Sequence, residues 1–172
     1  MTPDPHRRAF LRGRSSRAEE SALRPPWALP DSFIDRCTRC DECIGACPER
    51  IIGRGDGGFP EVRFSRGECT FCGRCAEACG EDVFQSEPRE IESAWALSVV
   101  INSSSCLSMN GVVCRICGDR CETEAIRFRL KTGAVSIPEI DDALCTGCGA
   151  CQFGCPVDAV TIRYQAAGAR AA

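Results

Sequence analysis

The chain has 172 residues and a formal net charge of −3, and no run approaches the ~18 apolar residues of a membrane span, so neither a membrane span nor a nucleic-acid partner is expected. Leu, Ile, Val and Phe together number 35, about a fifth of the residues, near the low edge for a globular chain. A core built from so few large apolar side chains is too small to hold two modules of well under 100 residues without other bonds.

Residues 1–30 hold no cysteine and no apolar periodicity, and they end in Leu23-Arg24-Pro25-Pro26-Trp27-Ala28-Leu29-Pro30. This segment reads as an N-terminal arm, extended at its prolines and docked near its end by Trp27. Asp31 is expected to cap a helical turn over residues 32–36. Ile51-Ile52, a glycine-rich turn at residues 53–58 and a return strand at 59–64 follow, then a short strand at Val83-Phe84. A boundary is expected near Pro88. Beyond it Trp95, Leu97, Val99 and Ile101 alternate to one face of a strand at 94–101, with Trp95 expected in the core rather than in a site. A hairpin follows, with strands at 125–130 and 135–137 and a turn at Lys131-Thr132-Gly133, and the last strand is expected at 160–164.

Between these elements lie sixteen cysteines in four groups of four: Cys37, Cys40, Cys43, Cys47; Cys69, Cys72, Cys75, Cys79; Cys106, Cys114, Cys117, Cys121; and Cys145, Cys148, Cys151, Cys155. Three groups read C-x2-C-x2-C-x3-C, and the third reads C-x7-C-x2-C-x3-C. A disulfide scaffold uses more varied spacings. Structural zinc sites pair separated C-x2-C knuckles across a long gap. The compact run is the bacterial [4Fe–4S] pattern, in which the fourth cysteine ligates the other cluster of a pair.

Four runs predict up to four [4Fe–4S] clusters with all sixteen cysteines as iron ligands. Crossed ligation would group Cys37, Cys40 and Cys43 with Cys79. It would group Cys69, Cys72 and Cys75 with Cys47. In the second half it would group Cys106, Cys114 and Cys117 with Cys155, and Cys145, Cys148 and Cys151 with Cys121. Small residues, among them Gly73, Gly147 and Gly149, favour close approach of backbone to cluster. Pro48 and Pro156 follow the fourth cysteines of two runs, where Gly80 and Glu122 stand in the others. The x7 gap either exposes its cluster or shifts its potential, or it is a loop insertion without consequence.

The expected fold class is α+β: two tandem bacterial ferredoxin-like units, 31–90 and 91–172, each with pseudo-two-fold repeats of short hairpins and short helices around two clusters. Metal–thiolate bonds would supply much of the folding energy. Four cubanes with their thiolates, at about −2 each, would bring the charge to about −11. Catalytic residues are not expected: the only histidine is His6, and neither a Walker A run nor a dinucleotide glycine fingerprint is found.

His6-Arg7-Arg8-Ala9-Phe10-Leu11-Arg12 resembles the twin-arginine export consensus, but a polar, charged stretch follows where an apolar h-region would stand. With the Leu23-Arg24-Pro25-Pro26-Trp27 segment, the Cys37-Thr38-Arg39-Cys40-Asp41 loop, the x7 gap and the closing run from Cys145 to Cys151, the chain resembles the NapF family of ferredoxin-type proteins of bacterial periplasmic nitrate reductase systems. The resemblance implies a cytoplasmic iron–sulfur electron-transfer accessory protein. Its implied partners are the molybdenum-containing catalytic subunit before export, in maturation or cluster loading, and an electron-donor protein. The alternative is an electron-transfer subunit of a respiratory oxidoreductase complex.

Overall fold

The computed structural model describes residues 22–86, 89–91, 94–131 and 136–165. The twin-arginine-like segment, Pro88 and the turn at 132–135 lie outside the described residues. Among the described residues the helices are one turn each: α1 (Phe33–Arg36), α2 (Glu42–Ala46), α3 (Arg74–Glu77), α4 (Ile116–Asp119) and α5 (Ala150–Phe153). None is long enough to stand alone in water. Four of them hold the third cysteine of a run, so the run, and not helix propensity, decides where they occur.

Among the described residues the strands form three antiparallel pairs. β1 (Ile52–Arg54) pairs with β2 (Pro60–Val62), and β4 (Ile126–Leu130) with β5 (Ser136–Ile140). β3 (Leu97–Ile101) pairs with β6 (Val160–Tyr164), placing Leu97 opposite Tyr164. On β3, Leu97 and Val99 are buried as the alternation predicts, and Trp95 just before it lies in the core.

Two expectations need correction. Ser32, not Asp31, occupies the cap position of α1, and no side-chain capping bond is made. Val83-Phe84 is not a strand of its own hairpin: Phe84 forms a single bridge to Ala28. Leu29 N–H donates to the Val83 carbonyl at 2.9 Å, and Gln85 N–H to the Trp27 carbonyl at 2.9 Å. This bridge is the first half's counterpart of the β3–β6 pair. Prolines at 25, 26 and 30 remove the donors a longer ladder would need.

Residues 22–30 form a strap fastened to both halves. Leu23 accepts the Val62 amide at 2.7 Å, and the Arg24 amide donates to Tyr164 Oη at 2.9 Å. Trp95 Nε1 donates to the Arg24 carbonyl at 3.0 Å, and Trp27 Nε1 to the Glu90 carbonyl at 2.8 Å. One core cluster joins Leu23, Ile51, Val62 and Phe64 to Trp95, Leu97, Val99 and Ile162, so the two cysteine-bearing halves share apolar packing. A second groups Trp27, Phe33, Ala76, Val83, Phe84 and Ala94.

Candidate iron–sulfur centres

The cysteine loops repeat one backbone device. The residue before the second cysteine is left-handed in three runs: Arg39 (φ 60°), Phe71 (φ 52°) and Gly147 (φ 76°). The residue after the second cysteine is left-handed in the same three: Asp41 (φ 69°), Gly73 (φ 77°) and Gly149 (φ 90°). The first of these turns aims an amide back at the loop. Arg39, Phe71 and Gly147 each donate their N–H to the sulfur of the first cysteine in their run, Cys37, Cys69 and Cys145. For Phe71 the N···Sγ distance is 3.4 Å. Such donors stabilise a thiolate and tune the potential of a cluster it holds. Arg50, Glu124 and Asp158, each three residues beyond a fourth cysteine, are left-handed as well. None of these six non-glycine positions was expected from sequence.

The third run departs from this device. Ser108–Asn110 form a 3-10 turn between Cys106 and Cys114. Ser108, 3% exposed, donates its hydroxyl to the Ser136 carbonyl on β5. Asn110 Nδ2 donates to the Cys106 carbonyl at 2.8 Å. The insertion is therefore fastened at its start, while its end leaves Val112 and Val113 exposed beside Cys114.

The structure brings cysteines of different runs together. Cys121, Cys145, Cys148 and Cys151 line one hollow. Cys106, Cys114, Cys117 and Cys155 line another. In the first half the thiols that act on Cys43 are Cys37, Cys79 and Cys40, and those that act on Cys75 include Cys69, Cys47 and Cys72. Among the described residues no three His, Cys, Asp or Glu side chains converge closely enough for a single metal ion. Four thiols spaced around a hollow suit a cubane.

Burial pushes the thiols of Cys43, Cys69, Cys75 and Cys151 up to about 12, and neighbouring cysteines add to the rise. Burial likewise raises Cys117, to about 11. Without metal these groups keep their protons, and binding iron releases them. Cys40 and Cys72, the second cysteines of the first two runs, are exposed.

The description "4Fe-4S dicluster domain" matches twice, over residues 36–83 and 112–159. The first match contains all eight cysteines of its half, while Cys106 lies outside the second. The ferredoxin-type protein NapF of Escherichia coli (strain K12) is 45% identical over 95% of this chain and 98% of its own length. NapF of Haemophilus influenzae is 45% identical over 91% of this chain and 92% of its own. The chain belongs to the NapF family of ferredoxin-type proteins. It carries iron–sulfur clusters of the [4Fe–4S] type, up to four. The methylamine utilization ferredoxin-type protein MauM of Methylorubrum extorquens is 34% identical over 87% of this chain and 74% of its own length. When bound, a cubane supplies a one-electron redox couple. The cysteines of the runs would hold it, and the amides of Arg39, Phe71 and Gly147 would donate to its thiolates. No helix among the described residues is long and apolar enough to cross a membrane.

Proposed function

We propose that the protein is a cytoplasmic iron–sulfur electron-transfer accessory protein of a periplasmic nitrate reductase system, acting in maturation or cluster loading of the catalytic subunit before export. The observation that carries this reading is the conjunction of two dicluster units with 45% identity to NapF proteins across nearly the whole chain. The ligands are thiolates that must stay reduced, which suits the cytoplasm. Arg7 and Arg8 stand in an export-like sequence followed by Gly13-Arg14-Ser15-Ser16-Arg17, which is polar and charged. The arm's role in this reading is to dock on the export partner or on the chaperones that attend it.

We further propose that the ligands are crossed. Cys37, Cys40, Cys43 and Cys79 form the first set, and Cys69, Cys72, Cys75 and Cys47 the second. Cys106, Cys114, Cys117 and Cys155 form the third, and Cys145, Cys148, Cys151 and Cys121 the fourth. The two four-cysteine hollows of the second half support this grouping. In this reading the protein acts as an electron carrier, as ferredoxin-type iron–sulfur proteins do.

The functional test is a pull-down from cells that accumulate the unexported catalytic subunit, with anaerobic iron and sulfide analysis of the same sample. The wild-type protein should capture the subunit and hold about 16 iron atoms, four from each cubane. Arg7→Lys with Arg8→Lys keeps the charge but removes the planar bidentate donors, and should capture less. Failure of the wild-type protein to capture the subunit overturns the partner. Equal capture by the double variant overturns the role of the arm.

A further inference from the structure

The two halves meet at their cysteine loops. Cys69 N–H donates to the Cys148 carbonyl at 2.7 Å, a backbone bond between a member of the second set and a member of the fourth. The residues just before two members of the same sets are also joined: Glu68, before Cys69, forms an ion pair with Arg120, before Cys121, at 3.1 Å. Gly149, which follows Cys148, is left-handed at φ 90°, and the Phe64 ring occupies the place a Cβ there would take. Phe64 is held in turn edge-on against Trp95, with ring centroids 5.7 Å apart. Within each half the helices that carry third cysteines pack together, α2 on α3 and α4 on α5. These bring Cys43 of the first set beside Cys75 of the second, and Cys117 of the third beside Cys151 of the fourth.

We infer that the four sets form one continuous array in the order first, second, fourth, third, and that Gly149 is the positioning residue that holds the junction between the second and fourth. This rests on the crossed sets proposed above. The chain order of the runs is therefore not their order in space: the first and third sets are the poles, and the second and fourth lie inside. A side chain at residue 149 would meet the Phe64 ring and separate Cys148 from Cys69 without removing a ligand. The halves would then carry two separate pairs rather than one array.

The test is electron paramagnetic resonance on the fully reduced holoprotein, where neighbouring reduced clusters broaden each other's lines and speed each other's relaxation. Cys72→Ser alters an exposed ligand of an inner set and should change the linewidth and relaxation of signals from the second half. Cys40→Ser, at a pole, should leave the second half as in wild type. Gly149→Ala, compared at equal iron and sulfide per chain, should lose the interaction between halves and keep the interaction within each half. Phe64→Leu gives a milder form of the same disturbance if Gly149→Ala loads poorly. A fully loaded Gly149→Ala or Phe64→Leu protein with wild-type line shape and relaxation overturns the positioning role. Equal effects of Cys40→Ser and Cys72→Ser on the second half overturn the order. Crossed ligation fails separately, if Cys47→Ser disturbs the first set rather than the second.

Discussion

Trp27→Ala should release one cluster ahead of the others. Trp27 is 2% exposed, its indole N–H donates to the Glu90 carbonyl at 2.8 Å, and its ring meets Phe71 edge-on at 6.3 Å. Truncation removes roughly 150 Å² of buried surface, about 4 kcal/mol at ~25 cal/mol per Å². That falls within the ~3–5 kcal/mol usual for a buried Trp or Phe cut to Ala. The lost hydrogen bond adds about 1 kcal/mol. Cluster loss is irreversible, so the quantity to measure is a rate. If the whole penalty of about 5 kcal/mol is expressed in the barrier, bleaching accelerates by up to several thousand-fold, roughly three and a half decades at ~1.4 kcal/mol per decade. Cys37 and Cys79 pack against the same apolar group as Trp27, so the first set should bleach first, as a distinct fast phase. Trp27→Phe keeps a ring and loses the donor, and should cost only about 1–2 kcal/mol. The assay is visible absorbance against time in moderate denaturant under anaerobic conditions, with iron release followed in parallel. Bleaching of Trp27→Ala at the wild-type rate, or in one phase that takes all clusters together, would refute the reasoning.

Cys47→Ser should disturb the cluster held by Cys69, Cys72 and Cys75 and spare the one held by Cys37, Cys40 and Cys43; spectroscopy of the reduced variant decides, and loss of the first-run cluster would mean that ligation is not crossed. Tyr164 is the chain's only tyrosine, so its phenolate absorbance reports directly on the strap. Burial raises its pKa above the ordinary 10, while the Arg24 amide and guanidinium pull weakly the other way. Its contribution to stability is therefore complete below pH 10 and falls as the pH rises from 10 through the folded value, because the unfolded phenol ionises first. An ultraviolet difference titration should give a higher midpoint folded than in denaturant, and a folded midpoint at or below 10 would sink the assignment.

The cysteine spacing and the alternation along β3 were legible because both are local: a cysteine run and a period of two need no knowledge of a partner. The strap was legible only in part. Leu23-Arg24-Pro25-Pro26-Trp27 reads as extended backbone with a docking residue, but nothing local says that Ala28 bridges to Phe84 or that Arg24 reaches Tyr164. The left-handed positions at Arg39, Asp41 and Phe71 were hidden because glycine is the usual marker of such backbone, and these residues are not glycine. Gly73 and Gly149 at the positions matching Asp41 carry the signal that could have revealed them. The junction of the halves was hidden for a different reason. Phe64 and Trp95 each read as apolar residues of their own element, and periodicity names a buried face without naming what covers it.

Those left-handed residues also bear on what the clusters do for the fold. Among the described residues seven non-glycine positions have positive φ, and six of them lie within a cysteine run or three residues beyond one. At about 1–3 kcal/mol each, their combined cost is comparable with the whole net stability of an ordinary domain, about 5–15 kcal/mol. The apolar core is too thin to offset that alone, and it is partly made of the ligands themselves: Cys43, Cys75 and Cys151 are core members. The bonds that can hold these turns are the metal–thiolate bonds, whose folding contribution at a structural zinc site is about 10–16 kcal/mol. Stripping the clusters should therefore relax the loops first. The Cys69–Cys148 contact joins two cysteine loops, so the junction between the halves should loosen when the clusters are stripped.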